Sequence, residues 1–445
     1  MHGRTKIYTI TSEITANNVV DELNKAMLIH SRNANETDYL YKYFRGIQPI
    51  LGREKTVRPE IANKIVENHA YEIVRFKTGY MVGEPITYVQ RGTEKTNDVA
   101  TLNDVMFATE KASCDREIAQ WMYICGVAVR MIQPDSETGI KIDAMNPCNT
   151  FCVYNAGFGH APVMGVVFVL NEEGNRVFGI YTPNSYFEVI DGNIVREQRN
   201  TLGMIPIFEY ELNPERMGAF EPVLPLLDTL NNLTSNRVDD VEQFVQAFLK
   251  FVNCDIDANG LEQLAALGAI KIKGDGADVE RIDGELNQSQ VQVLVDYCYE
   301  KILTICGVPS TTKGGTSTSD TGAAVIMRDG WQQAESSARE DEEMFKRAER
   351  KFLALALRIL RNKGVLKLEM SDIDIKFSRR NTDNLLTKTQ SLLHMLEAGI
   401  APVVAIATCG LWNDPMDVSA QSADFLRKWD YEDMVIDDAD AVQTG

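Results

Sequence analysis

From Ala324 onward, apolar side chains return at steps of three and four: Met327, Trp331, Ala334, Ala338, Phe345, Ala348, Phe352, Leu355 and Ile359, broken only at Asp341. No strand keeps such a period over this length, so the stretch is predicted to be one long heptad-patterned helix. Roughly forty helical residues span about 60 Å. Acid-before-base pairs at a spacing of four, Glu335 with Arg339, Glu342 with Lys346 and Glu343 with Arg347, favour it, and Gly364 after Arg361 and Lys363 supplies a stop. Directly before it lies a polar loop, PSTTKGGTSTSDTG, from Pro309 to Gly322. A rod fed by a polar loop points to a mechanical part, although a coiled-coil dimer or an ordinary buried helix fits the same period.

The rest of the chain limits the alternatives. Its 445 residues allow two or three domains, and 44% hydrophobic with 24% charged residues is the composition of a folded chain. The N-terminal MHGRTKIYTITSEI has no apolar segment of the kind found in signal peptides, and the most apolar stretch, Ala401 to Trp412, is too short and too interrupted to span a membrane. Eight cysteines lie scattered singly, as suits a reducing compartment. Cys148, Cys152 and His160 lack the second ligand pair of a zinc finger, so no metal is expected. Net charge is −19, and the last sixteen residues hold six acids without a base, predicting a solvated acidic tail. Such a chain cannot grip DNA over a broad surface, because that requires Lys and Arg to displace counterions.

Along the chain, residues 14 to 46 and then Pro59 to Lys77 read as helices, the latter carrying Ile61, Ile65, Val66, Ile73 and Val74. Another helix is predicted near 101 to 122. Between Val127 and Glu197 short β-rich runs alternate with Gly, Pro and Asn turns, as in an antiparallel meander or sandwich: VAVRMI, IKIDAM, FCVYN, VMGVVFVL, RVFGIYT, YFEVI and NIVRE. Two long helices, about 221 to 251 and 287 to 307, flank an insertion at 254 to 286 with a short helix, LEQLAALG, and brief strands, AIKIKG and VERID. After the long helix come a strand, DIDIKFS, helical segments from about Asp383 to Glu397 and from Ala401, and the tail. The fold class expected is mixed, helix-rich α+β.

Catalytic motifs are missing from this pattern. An ATP-driven motor needs GxxxxGK[ST], and KGGTSTSDTG lacks the lysine that reaches the phosphates. The carboxylate clusters Asp239 with Asp240, Asp255 with Asp257 and Asp372 with Asp374 read as solvated helix faces and turns rather than two-metal nuclease sites. The five histidines stand apart, without a local Ser or Cys partner. No enzyme activity and no cofactor are expected.

Several blocks in order resemble the portal proteins of tailed bacteriophages, the SPP1-type group. The first is YLYKYFRGIQPILGR with IANKIVENHAYEIVRFKTGYMVGEPITY, where Asn63, Asn68, Val74, Gly79, Tyr80, Gly83 and Pro85 match the family's tendencies. The most specific is NTLGMIPIFEYELNPERMGAFEPVLPLLDTLNNLTSNRVDDVEQF, with Gly203, Ile205, Pro206, Asp228, Asn231, Ser235, Asp239 and Phe244. The loop with the long helix, and FSRRNTDN with GIAPVVAIATCG, complete the match.

The resemblance implies a ring, usually of twelve subunits, around a DNA channel at one capsid vertex. It divides the chain into an N-terminal part and wing (1–220), a stem helix (221–253), a clip (254–286), a second stem helix (287–308), a tunnel loop (309–322), a long wing helix with its following strand (323–382), a helical crown (383–429) and the acidic tail (430–445). It also implies a virion component, assembled in the bacterial cytoplasm, with double-stranded DNA, terminase, head-completion or adaptor proteins, major capsid and scaffolding proteins as partners, and no membrane. The tunnel loop residues expected nearest DNA are Thr312, Lys313, Thr316, Ser317 and Thr318. On the clip, Lys271, Lys273, Asp275 and Arg281 are the expected terminase or adaptor contacts, and Gly330 with Trp331 marks an expected helix bend. Competing readings are a head-morphogenesis or scaffold protein that associates through the long helix and, less favoured, a packaging enzyme.

Overall fold

A computed structural model describes residues 3–56, 59–91, 98–245, 248–252, 278–282, 288–310, 330–379, 385–412 and 414–423. In chain order the helices are α1 (Val19–Phe44), α2 (His69–Val82), α3 (Asp98–Ala108), α4 (Lys111–Cys125), α5 (Leu224–Val245), α6 (Gln288–Cys306), α7 (Trp331–Asn362), α8 (Leu385–Glu397), α9 (Pro402–Cys409) and α10 (Pro415–Gln421). The strands are β1 (Ile7–Thr9), β2 (Thr87–Gln90), β3 (Val127–Asp135), β4 (Gly139–Met145), β5 (Thr150–Asn155), β6 (Pro162–Leu170), β7 (Arg176–Tyr181), β8 (Ser185–Ile190), β9 (Asn193–Arg199), β10 (Ile207–Glu211), β11 (Phe248–Val252), β12 (Asp278–Ile282) and β13 (Ile373–Lys376). The mixture is α+β, as expected. Among the described residues no helix is long and apolar enough to cross a membrane. Two compact units emerge: Met1–Arg45, Ala70–Pro222 and Leu303–Gly445 form the first, and Gly46–His69 with Val223–Ile302 the second.

In the first unit each alternating run predicted between 127 and 197 is a strand, but the strands part into two sheets. β5 to β9 form an antiparallel succession, with β1 added in parallel beside β5. β3 and β4 instead join β10 in the order β10-β3-β4, and β2 pairs with β13. Helix α1 lays Val19, Leu23 and Ala26 on Phe151, Val153, Val166 and Phe187 of the larger sheet. Each large side chain so enclosed contributes about 1.5–3 kcal/mol. The helix stops at Arg45 because Gly46 takes φ +87°, a left-handed exit that costs glycine little.

The single helix predicted near 101 to 122 is two, α3 and α4, separated where Glu110 adopts φ +52°. Helix α4 ends on Gly126 at φ +77°, and a Cβ there would come within 2.3 Å of the Arg216 backbone. Only glycine fits such an approach.

Helix α7 buries Ala334, Ala338, Phe345, Ala348, Phe352, Leu355 and Ile359, the apolar series read from the sequence. Phe352 stands edge-on to Phe208 at 6.2 Å, and the Phe345 ring lies 4.8 Å from that of Tyr210. Leu353, Ala356, Leu357 and Leu360 are buried too, so the helix is enclosed on more than one side and its heptad seam is used up within the chain. The break at Asp341 is satisfied: its carboxylate accepts from the Tyr123 hydroxyl at 3.0 Å beside Lys77 Nζ at 3.5 Å. The helix starts at Trp331, not Ala324, because Gly330 sits at φ +81°, outside helical geometry; Met327 lies outside the described residues. Of the three surface pairs only Glu335–Arg339 forms, at 2.9 Å. Glu342 turns to Arg379 beyond β13, and Glu343 reaches Lys346 three residues on at 2.8 Å.

Beneath α7 lies a fully enclosed ionic cluster. Glu349 accepts from the Tyr88 hydroxyl at 2.6 Å, the Tyr210 hydroxyl at 2.7 Å and Arg130 Nη1 at 2.8 Å, with Lys111 Nζ at 3.0 Å. Asp115 balances the second cation, pairing with Arg130 and, at 2.6 Å, with Lys111. The Arg130 guanidinium lies 4.8 Å from the Tyr210 ring centre and 4.9 Å from that of Phe352. Burial would push the Glu349 carboxyl up; Lys111 and Arg130 outweigh it and hold it well below the usual range. Two acids and two bases thus join α4, β3 and α7 without a net buried charge.

Candidate functional site

The second unit is built on α5 and α6, the two long helices expected to flank an insertion. Helix α6 matches its expected span, whereas α5 ends at Val245 and the residues after it are strand. Phe248 and Val252, read as helical positions, instead belong to β11, whose antiparallel register with β12 sets Leu249 opposite Arg281 and Phe251 opposite Val279. The bulky apolar run FLKFV suits a pleated ladder better than a final helical turn.

The predicted helix from Pro59 to Lys77 is corrected more deeply, since only the part from His69 is helical. The preceding segment runs beside α5 and gives it alternate backbone N–H groups. Asn63 N donates to Asp239 Oδ1 at 2.8 Å, Ile65 N to Ser235 Oγ at 3.0 Å, and Glu67 N to Asn231 Oδ1 at 2.9 Å. The spacing follows from backbone geometry. Four residues of helix rise about 6.0 Å, and two residues of extended chain advance about 6.6 Å. Acceptors at 231, 235 and 239 therefore meet donors at 63, 65 and 67 rung by rung. All three acceptors are fully buried. Unlike a strand in a sheet, this segment finds its acceptors on side chains.

Charge and amide groups close the ladder at both ends. Arg53 and Lys55 reach the other oxygen of Asp239 at 3.0 and 2.5 Å. Burial pushes this carboxyl up, but Lys55 and the Asn63 donors outweigh it and draw it below its ordinary value. At the far end Asn231 Nδ2 donates to Gln48 Oε1 at 2.5 Å, and the Thr234 hydroxyl donates to Glu67 at 2.6 Å. The neighbouring face of α5 exposes Thr229, Asn232, Asn236 and Asp240, a nearly uncharged polar stripe on which Asn236 accepts from Arg53. Helix α6 exposes Val293, Leu294 and Tyr297.

The expected site residues fall unevenly. Thr312, Lys313, Thr316, Ser317 and Thr318, and on the insertion Lys271, Lys273 and Asp275, lie outside the described residues. Arg281 is on β12. Gly330 immediately precedes α7, so the chain turns before that helix rather than within it, and Trp331 is half-buried against Phe76 and Tyr80 at about 6 Å. A Cβ added to Gly330 would lie 3.8 Å from Pro309 Cα, so the described chain on either side of residues 311–329 comes close together. Sequence reasoning missed the ladder, although its signal was present: Asn231, Ser235 and Asp239 recur every four residues in a leucine-rich helix. Among the described residues no group of three His, Cys, Asp or Glu is arranged to hold a metal.

The family model of phage portal proteins of the SPP1 Gp6-like type matches residues 25–406, running through both units. The chain belongs to the SPP1-type portal family. Portal proteins are structural components of the phage particle. A relative, the portal protein of Bacillus phage SPP1, is 23% identical over 398 residues, covering 81% of this chain and 76% of the relative. Among solved structures, a chain of the native gene transfer agent virion is 12% identical with a TM-score of 0.49, covering 85% of this portal chain and 94% of that one. A chain of the native gene transfer agent neck, computed with C12 symmetry, is 11% identical with a TM-score of 0.46 over 77% and 89%.

Proposed function

We propose that this portal chain assembles into a closed ring of about twelve copies at one capsid vertex and that double-stranded DNA enters and leaves through it. The observation that carries the reading is the family match across residues 25–406, which takes in the α5–α6 pair as well as the wing. In this reading α5 and α6 are the stem, residues 254–286 are the clip that meets terminase during packaging and head-completion proteins afterwards, and residues 309–322 are the tunnel loop. The hydrolytic motor belongs to terminase.

Charge supports a conduit that does not hold its cargo. Duplex DNA carries a phosphate about every 1.7 Å, so a 30 Å length presents roughly eighteen charges. A chain of net charge −19 repels that duplex toward the axis instead of trapping it. Contact is then left to a few residues, Thr312, Lys313, Thr316, Ser317 and Thr318. The buried seam of α7 weighs against a scaffold protein that associates through that helix.

Negative-stain images of the purified protein test the ring. Closed rings with cyclic symmetry are expected, and a monodisperse dimer without rings under any condition overturns the proposal. For the loop, Lys313→Ala should keep the ring and lower DNA packaged per particle; unchanged packaging removes Lys313 from the site.

A further inference from the structure

Helix α7 is electrically polarised along its length. Residues 331–345 carry five acids and one base, whereas residues 346–363 carry seven bases and one acid. The single acid of the second half, Glu349, is consumed inside the ionic cluster, which leaves that half purely basic on the outside. Exposed positions 340, 343, 347, 350, 351 and 358 fall on one face at the helical period, so the acidic and basic stretches form one continuous stripe. Arg347, Arg350 and Lys351 have no ion-pair partner within 4 Å among the described residues. The residues four positions before Arg350 and Lys351 are Lys346 and Arg347, which repel them. The helix dipole explains cations only in the last turn, where Arg361 lies, and these three stand two or more turns earlier. Burial and then the neighbouring cations Arg347 and Lys6 push the Lys351 ammonium below its usual range.

One turn before Arg347 on the same helix lies an open groove of about 930 Å³, bordered by Glu215, Glu340, Asp341 and Glu343. Its two bases are engaged, Lys77 with Asp341 and Arg339 with Glu335, and Glu343 pairs with Lys346, so Glu215 and Glu340 are the acids without an ion-pair partner among the described residues. We infer that this acidic groove receives the Arg347–Arg350–Lys351 stripe of a second copy of the chain, so that successive subunits meet head to tail through neighbouring segments of α7. The occupant is argued from charge complementarity: the exposed basic stripe of one copy matches the acidic rim that every copy carries. The contact is heterologous, joining two different patches, which is the kind that closes a ring. The inference rests on the ring reading above.

The test is a charge exchange read by native mass spectrometry and negative stain, with the fold of each variant checked by thermal unfolding. Wild-type rings should dissociate as salt screens the contact. Arg347→Glu/Arg350→Glu should lower the ring fraction at least tenfold, as should Glu340→Lys/Glu343→Lys, each on an unchanged subunit fold. All four substitutions in one chain should restore rings, because every interface is then complementary again. If wild type gives rings and the two double variants also give them with the same salt sensitivity, the head-to-tail contact is wrong and the ring stands. If wild type gives none, the ring reading itself fails. If the Arg variant keeps its rings but loses affinity for a short DNA duplex, the stripe is a DNA contact and the inference is overturned.

Discussion

Asp239 accepts two hydrogen bonds from Asn63, which precedes it by 176 positions: one from the backbone N–H at 2.8 Å and one from Nδ2 at 2.9 Å. The buried carboxylate thereby fixes the last rung of a ladder between an extended segment and a helix, and it also takes the charges of Arg53 and Lys55.

Asp239→Ala should cost about 3–5 kcal/mol, because it strands two cations and an N–H at a buried site. Asp239→Asn, which keeps an acceptor for Asn63 but no charge, should cost less. Urea unfolding of the two variants checks the order. The folded carboxyl titrates below its unfolded value, so its contribution is present above about pH 4 and fades as pH falls through the folded value.

His30 supplies a separate response to acid. It is buried against Phe151 with ring centres 4.0 Å apart, its Nε2 is 2.8 Å from the Cys148 carbonyl, and burial lowers its pKa to about 4. Between pH 6.5 and 4 the unfolded chain gains a proton that the folded one refuses, so stability should fall with pH across that window at up to about 1.4 kcal/mol per pH unit. His30→Gln keeps a donor for Cys148 and should flatten the slope, as measured by unfolding at stepped pH.

Much of this architecture was legible in the residues. The period of three and four that ends in Leu355 and Ile359 named the buried face of α7, because apolar burial is written directly into helical spacing. The turns at Gly139 and Gly192 separated strands in the same way. Partners far apart in the chain were not legible. Nothing near Asn63 announces Asp239, so Ile61, Ile65 and Val66 read as a helix until α5 supplies acceptors for their segment. Glu342 likewise looked paired with Lys346, because Arg379 approaches only through the pairing of β13 with β2.

Removing one member of the ionic cluster should be worse than removing two. Glu349→Leu alone leaves Arg130 and Lys111 in excess over Asp115 in a dry site, at a cost of about 3–5 kcal/mol. Glu349→Leu with Arg130→Met restores balance and should cost clearly less than the sum of the single substitutions. A double-mutant cycle by chemical denaturation measures the coupling.

Gly126→Ala should be among the most damaging single-methyl changes in the first unit. The added Cβ meets the Arg216 backbone at 2.3 Å and the φ of +77° is strained for alanine. A loss above about 2 kcal/mol is expected, against a far smaller one for Gly174→Ala, which has the same handedness but open space around it. Comparing the melting temperatures of the two separates steric conflict from backbone strain.

Pro309 and Gly330 lie close together, so the described chain is left and rejoined at one doorway. Doubling the length of a segment closed there adds only about 0.6 kcal/mol of closure entropy. Helices α6 and α7, on either side of the doorway, keep their packing whatever length is inserted. An insertion between these two points should therefore cost the fold that carries it little.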